Sequence, residues 1–192
     1  VVLERLSYHT KILKEHSEGM VTTLMPSLVH GRLSHDVDVR FRTLKIFSDI
    51  LITYLYEDSI YDPNNPNKAT TKLVNEMLTK VIPQLEDMLN DQDPIPLYTL
   101  KLLAAVLDRN IAFVSVLKRQ NLIPRLVQAL ASPNGHLIQI LKRVIESGEV
   151  SLQTLEELQL VDRINGVMQS YLEQDCCTEL MLDILYELLF TA

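Results

Sequence analysis

Tryptophan is absent from this 192-residue chain, and glycine and cysteine are scarce, with five and two residues. So few glycines leave little material for a phosphate-cradling loop or a turn-rich β-sandwich. Neither Gly-x-Ser-x-Gly nor His-Glu-x-x-His occurs, so the familiar hydrolytic layouts are missing. The histidines His9, His16, His30, His35 and His136 are scattered. His9 and His16 stand two turns apart, yet no carboxylate or cysteine completes a metal-ligand set around them. No catalytic residue, cofactor or metal is expected. No run of eighteen apolar residues is free of charge, which argues against a membrane span. Cys176 and Cys177 are adjacent, a spacing that suits neither a structural disulfide nor a zinc site. They read as two small buried or half-buried hydrophobes on a helix, and a reducing, cytoplasmic setting follows as the default. The opening Val1-Val2-Leu3-Glu4-Arg5 lacks an initiator methionine and a signal-peptide layout, so the chain reads as part of something longer.

What the chain has in plenty is apolar side chains, 47% of the total, which is too many for disorder. They carry a recurring motif of aliphatic residue, proline, variable residue and leucine. It reads Met25-Pro26-Ser27-Leu28, Ile82-Pro83-Gln84-Leu85 and Ile123-Pro124-Arg125-Leu126. A fourth copy, Val161-Asp162-Arg163-Ile164, keeps the pattern without the proline. The steps are 57, 41 and 38 residues, and a period near forty is the signature of stacked helical repeats. Proline at a first helical position loses no hydrogen bond and presets φ, so each copy is expected to open a short helix. Ser34, Asp91, Ser132 and Ser170, each eight residues past the proline position, are expected to close it and cap the next.

The following helices are amphipathic. Phe41, Leu44, Phe47, Leu51 and Tyr54 make one stripe opposite Asp38, Arg42, Lys45 and Asp49; Leu137, Leu141, Val144 and Ile145 oppose Gln139, Lys142, Arg143 and Glu146. Turns are expected at Ser17-Glu18-Gly19, Asp108-Arg109-Asn110 and Ser147-Gly148-Glu149. The expected fold is an all-α, right-handed α-solenoid of about four repeats, near 1–56, 70–108, 110–147 and 149–190. A turn-rich insertion at 57–69, Tyr61-Asp62-Pro63-Asn64-Asn65-Pro66-Asn67 at its centre, reads as a tolerated loop.

The net charge of −7 conceals a segregation. Residues 97–145 carry seven basic and one acidic group, residues 57–96 three against eight, and residues 146–192 one against ten. The overall acidity, with only Tyr98 and Phe113 as nearby aromatics, speaks against nucleic acid. The basic repeat reads as a solvated face, as a complement to its acidic neighbours, or as the surface for a partner, and the partner expected there is an acidic protein segment. In the last helix Glu179, Asp183 and Glu187 form one narrow polar line, while Leu182, Tyr186 and Phe190 form an apolar stripe with nothing downstream to cover it. A terminal repeat should instead carry a polar outer face. Leu182, Tyr186 and Phe190 are therefore expected either to meet a following repeat or to mediate self-association.

The first unit, from Leu24-Met25-Pro26-Ser27-Leu28 through Asp38-Val39-Arg40 to Ile50-Leu51, resembles a HEAT repeat. The third, Leu122-Ile123-Pro124-Arg125-Leu126-Val127-Gln128-Ala129-Leu130 with Ser132-Pro133-Asn134, is similar to an armadillo repeat. The second and fourth depart, with Pro94 and Pro96 in place of Val-Arg and Asp162 in place of proline. The resemblance implies a binding groove lined by the helix after each proline. Ser27, Gln84, Arg125 and Arg163 would be its first exposed rungs, with His30, Asp87, Gln128 and Gly166 one turn on. The stretch from Asp93 to Leu130 also resembles the C-terminal repeat region of Fused-type, unc-51-like kinases. That implies a non-catalytic scaffold segment of a kinase or pseudokinase linked to cilia and microtubules, with a ciliary or centrosomal location. No kinase motif falls in the chain. The residues expected to touch a partner are Lys101, Lys118, Arg119, Arg125, Gln128 and Arg163.

Overall fold

A computed structural model describes residues 2–31, 33–170 and 177–191, and among them there is helix, turn and loop but no strand. The protein is all-α. It divides into two compact units, Val1–Arg109 and Asn110–Ala192, parted between the second and third copies of the proline motif.

The first unit opens with α1 (Val2–Leu6) and α2 (Thr10–Glu15), then α3 (Ser17–Gly19), a π-helical turn at Met20–Leu24 and α4 (Met25–Gly31). Ser17-Glu18-Gly19 is therefore helical rather than a turn. Pro26 does not start a helix, either. It lies within one helical path running from Ser17 to Gly31, and the π turn just before it loosens the ladder where proline offers no N–H. Gly31 lets α4 close on the next helix, since a Cβ there would meet Thr43 Cγ2 at 2.6 Å. α5 (Val37–Leu55) follows, capped by Asp36, whose carboxylate accepts from the Asp38 N–H at 2.8 Å. Leu44, Phe47, Leu51 and Tyr54 are buried as the periodicity predicts, joined by Ile46, Ile50 and Leu55.

Between α5 and α6 (Ala69–Val81) the insertion is pinned rather than loose. Tyr61 is fully buried with its hydroxyl 3.3 Å from Asn75 Oδ1, and Thr70 Oγ1 donates to the Ile60 carbonyl at 2.6 Å. Pro83 falls in a 3₁₀ turn, Ile82–Gln84, that bends α6 directly into α7 (Leu85–Leu89). The second proline, like the first, marks a bend inside a continuous run. α8 (Ile95–Arg109) packs on α5 and α7 and ends the unit. The expected cap Asp91 is instead gripped by Arg40 through a two-point pair, Nε to Oδ2 at 2.8 Å and Nη2 to Oδ1 at 2.7 Å.

The second unit solves the same joint differently. After a 3₁₀ turn at Ile111–Phe113, α9 (Val114–Arg119) and α10 (Ile123–Gln128) are separate helices. Asn121 sits between them at φ 54°, and Gln159 takes φ 56° at the corresponding joint between α12 (Leu152–Glu157) and α13 (Leu160–Ser170). At the first joint the Leu122 N–H reaches back to the Leu117 carbonyl and the Asn121 N–H to that of Lys118, both at 3.0 Å. This pair of bonds closes a helix around one left-handed residue. Here Pro124 does stand in the first turn of its helix. Between these pairs runs α11 (Gly135–Glu146), capped by Asn134, which accepts from the Leu137 N–H at 3.0 Å. Asp36 and Asn134 both lie ten residues past their motif prolines, so the caps fall two residues beyond Ser34 and Ser132. Ser170 is the last residue of α13 and caps nothing downstream among the described residues. α14 (Thr178–Thr191) packs on α11 and α13. Cys177, just before it, is buried; Cys176 lies outside the described residues.

Candidate functional site

The basic residues lead first to their own acids. In the first unit Lys101 Nζ lies 3.4 Å from Asp49 Oδ1 and over the Tyr98 ring. Arg109 donates to the Leu55 carbonyl at 2.8 Å and to Asp58 Oδ1 at 2.7 Å, fastening the start of the insertion. In the second unit Lys142 Nζ donates to Asp183 Oδ2 at 2.7 Å, which with the neighbouring carboxylates raises its pKa and ties α11 to α14. Arg143 pairs with Glu146 at 2.8 Å, and Lys118 donates to the Glu149 carbonyl. Much of the positive segment is thus complement to the protein's own acids.

Lys118, Arg119, Arg125 and Gln128 are exposed on α9 and α10, while Arg163 is half-buried on α13 with its Nε enclosed and without a hydrogen-bond partner. These five belong to the second unit and Lys101 to the first. Of the expected groove rungs, Ser27, His30 and Asp87 are exposed in the first unit, with Gln84 half-buried.

The apolar face is more sharply defined. Leu182 is 51% exposed, Tyr186 59%, Leu189 76% and Phe190 72%, although Met181 and Ile184 of the same helix are buried. The Tyr186 and Phe190 rings lie 4.3 Å apart, centroid to centroid, covering one another in part. Beside them α12, α13 and α14 enclose an open groove of about 600 Å³, floored by Leu152, Leu155, Leu160, Leu185 and Leu188. Leu189 and Val161 reach its edge, and Glu156, Gln159, Asp162 and Asn165 form the polar rim. Val161 is informative because it occupies the motif's aliphatic position. Its counterparts Met25, Ile82 and Ile123 are at most 6% exposed, whereas Val161 is 44% exposed. In three copies that position is covered; in the fourth it is open. The stripe is legible in the sequence and the groove is not. Its one signal there is Leu189, seven residues past Leu182 and so on the same helical face.

Among the described residues no group of His, Cys, Asp or Glu is placed to hold a metal ion, and no helix is long and apolar enough to cross a membrane.

A family model described as "Serine/threonine-protein kinase ULK4-like, HEAT repeats" matches residues 1–115. Serine/threonine-protein kinase ULK4 of Mus musculus is 24% identical over 172 residues, covering 84% of this chain and 13% of that protein. Serine/threonine-protein kinase RUNKEL of Arabidopsis thaliana is 25% identical over 175 residues, covering 88% of this chain and 12% of that protein. The chain thus spans about an eighth of the length of the curated relatives it matches. No solved structure matches it.

Proposed function

The chain belongs to the family of HEAT repeats of serine/threonine-protein kinase ULK4-like proteins, and from that premise we propose that it is a non-catalytic protein-interaction scaffold. Its repeats would stack as a right-handed solenoid of about four units within a much longer protein, and a partner protein would dock on the second unit. The observation that carries this reading is the open motif position at Val161 with the exposed Leu182, Tyr186, Leu189 and Phe190 beside it. A large exposed apolar patch with a polar rim marks an interaction site more often than a bare surface.

Two surfaces compete for the partner. The exposed Lys118, Arg119, Arg125 and Gln128, with Arg163 of the same unit, would suit an acidic segment. We favour the apolar face, because several cations of the positive segment are already engaged with the protein's own acids and carbonyls. A second reading, regulatory self-association within a large kinase or pseudokinase linked to cilia and microtubules, would use the same apolar face.

The test compares two variants of the full-length protein by quantitative co-purification. One carries Leu182→Ser, Tyr186→Ser and Phe190→Ser; the other carries Lys118→Glu, Arg119→Glu and Arg125→Glu. The apolar variant should lose its specific partners at an unchanged melting temperature, and the charge variant should retain them. The reverse pattern would move the interface to the basic helices.

A further inference from the structure

Resting on the reading of the apolar face as an interface, we infer that the groove between α12, α13 and α14 receives an amphipathic helix rich in lysine and arginine from a partner protein. An open trough floored by leucines from three helices suits a helix that lays an i, i+3, i+4, i+7 apolar stripe into it. The uncovered Val161 points the same way, since elsewhere in the chain that position is buried.

Charge then selects among helices. Glu156 and Asp162 stand on the rim, and residues 146–192 hold ten acidic groups against the single Arg163. Lys142 pairs with Asp183 and Arg143 with Glu146, and neither cation is among the residues that line the groove. Asp162 also sits, exposed, in the first turn of α13, where a carboxylate balances the helix dipole. A partner presenting lysines or arginines beside its apolar stripe gains attraction at both edges of the groove, whereas an acidic one meets repulsion.

The acidic rim disfavours a second copy and a membrane alike. A two-fold dimer would place this patch against itself, so acid would face acid. An anionic membrane surface would be repelled for the same reason.

The experiment titrates the 192-residue chain into two fluorescently labelled amphipathic peptides. Their apolar stripes are identical; one has lysines on its flanks, the other glutamates. The lysine peptide should bind at least roughly tenfold tighter at about 0.1 M salt, and the preference should shrink towards 1 M as screening shortens. Leu189→Asp should cut its affinity by a similar factor without lowering the melting temperature, and Val161→Asp, from a different helix, should do the same. Joint replacement Glu156→Lys with Asp162→Lys should invert the charge preference. Equal affinity for both peptides, still lost in Leu189→Asp, would keep the interface and overturn its basic partner. Lysine-peptide binding that survives both apolar variants would overturn the groove altogether. A concentration-dependent dimer abolished by Leu189→Asp would give the face to a second copy. Failure of the full-length protein to bind the peptide that the segment binds would assign the groove to the parent's own chain.

Discussion

Replacing Tyr54 with phenylalanine isolates one contact that holds the start of the first unit. Tyr54 is fully buried in α5, and its hydroxyl donates to the Leu13 carbonyl at 2.9 Å. Leu13 is the one buried residue of the six-residue α2, so this bond and that side chain hold α2 on α5, with the Lys14–Glu57 ion pair just beyond the end of α5. Phenylalanine keeps the ring and its packing while removing the donor, and a carbonyl in the last turn of α2 is left without it. Losing a buried hydrogen bond and stranding its acceptor costs about 1–3 kcal/mol. Urea unfolding should show that loss as a lower midpoint at an unchanged slope. Hydrogen exchange should accelerate at the α2 amides before those of α5 and α8. The hydroxyl carries a second signature. Burial pushes the Tyr54 pKa up from 10.0 to about 12, so the folded state holds its proton after the unfolded chain has lost it. That contribution is fully present below pH 10 and is lost as pH rises through about 12, and Tyr54→Phe should lack this alkaline component. A stability change under ~0.5 kcal/mol, with identical alkaline limbs, would refute the tether.

Three other outcomes follow from the joints and ion pairs. Pro124→Ala should cost under ~1 kcal/mol, because it mainly frees the unfolded chain; Leu126→Ala, at a position 1% exposed, should cost about 2–5 kcal/mol in denaturant melts. Gln159→Gly should stabilise the second unit by about 0.5–1 kcal/mol by relieving its left-handed backbone. Asn121→Gly should gain less, since asparagine tolerates that conformation. The Arg40 guanidinium holds the Asp91 carboxyl below its usual pKa, so this pair's stabilisation is present above about pH 4 and lost on further acidification. Asp91→Asn should therefore flatten the acid limb of a urea-midpoint profile.

The helical class and the apolar stripes were legible because burial follows the 3.6-residue period, as Phe47, Leu51, Leu141 and Val144 show. The likeness to unc-51-like kinase repeats was legible too, and the family match over residues 1–115 bears it out. The joints were not. Met25-Pro26 and Ile123-Pro124 look alike in sequence, yet Pro26 sits in a kinked continuous helix and Pro124 follows a break. Asn121 marks the difference at the break; π and 3₁₀ turns, which have no comparable residue signature, absorb the other two prolines. Charge was legible only as a pattern. A positive run beside negative runs suits an outside partner and internal complement alike, and pairs such as Lys142–Asp183 form between residues far apart in sequence. The groove was hidden for the same reason, since its leucines come from three helices and only folding brings them to one trough.

Methyl-resolved NMR of the isotopically labelled chain, titrated with the lysine-flanked peptide, tests most directly where a partner docks. The account predicts shifts or broadening at Val161, Leu185, Leu188 and Leu189, with Leu126 and Val127 of α10 undisturbed. Shifts centred on α9 and α10, beside Arg119 and Arg125, with α14 silent, would contradict it.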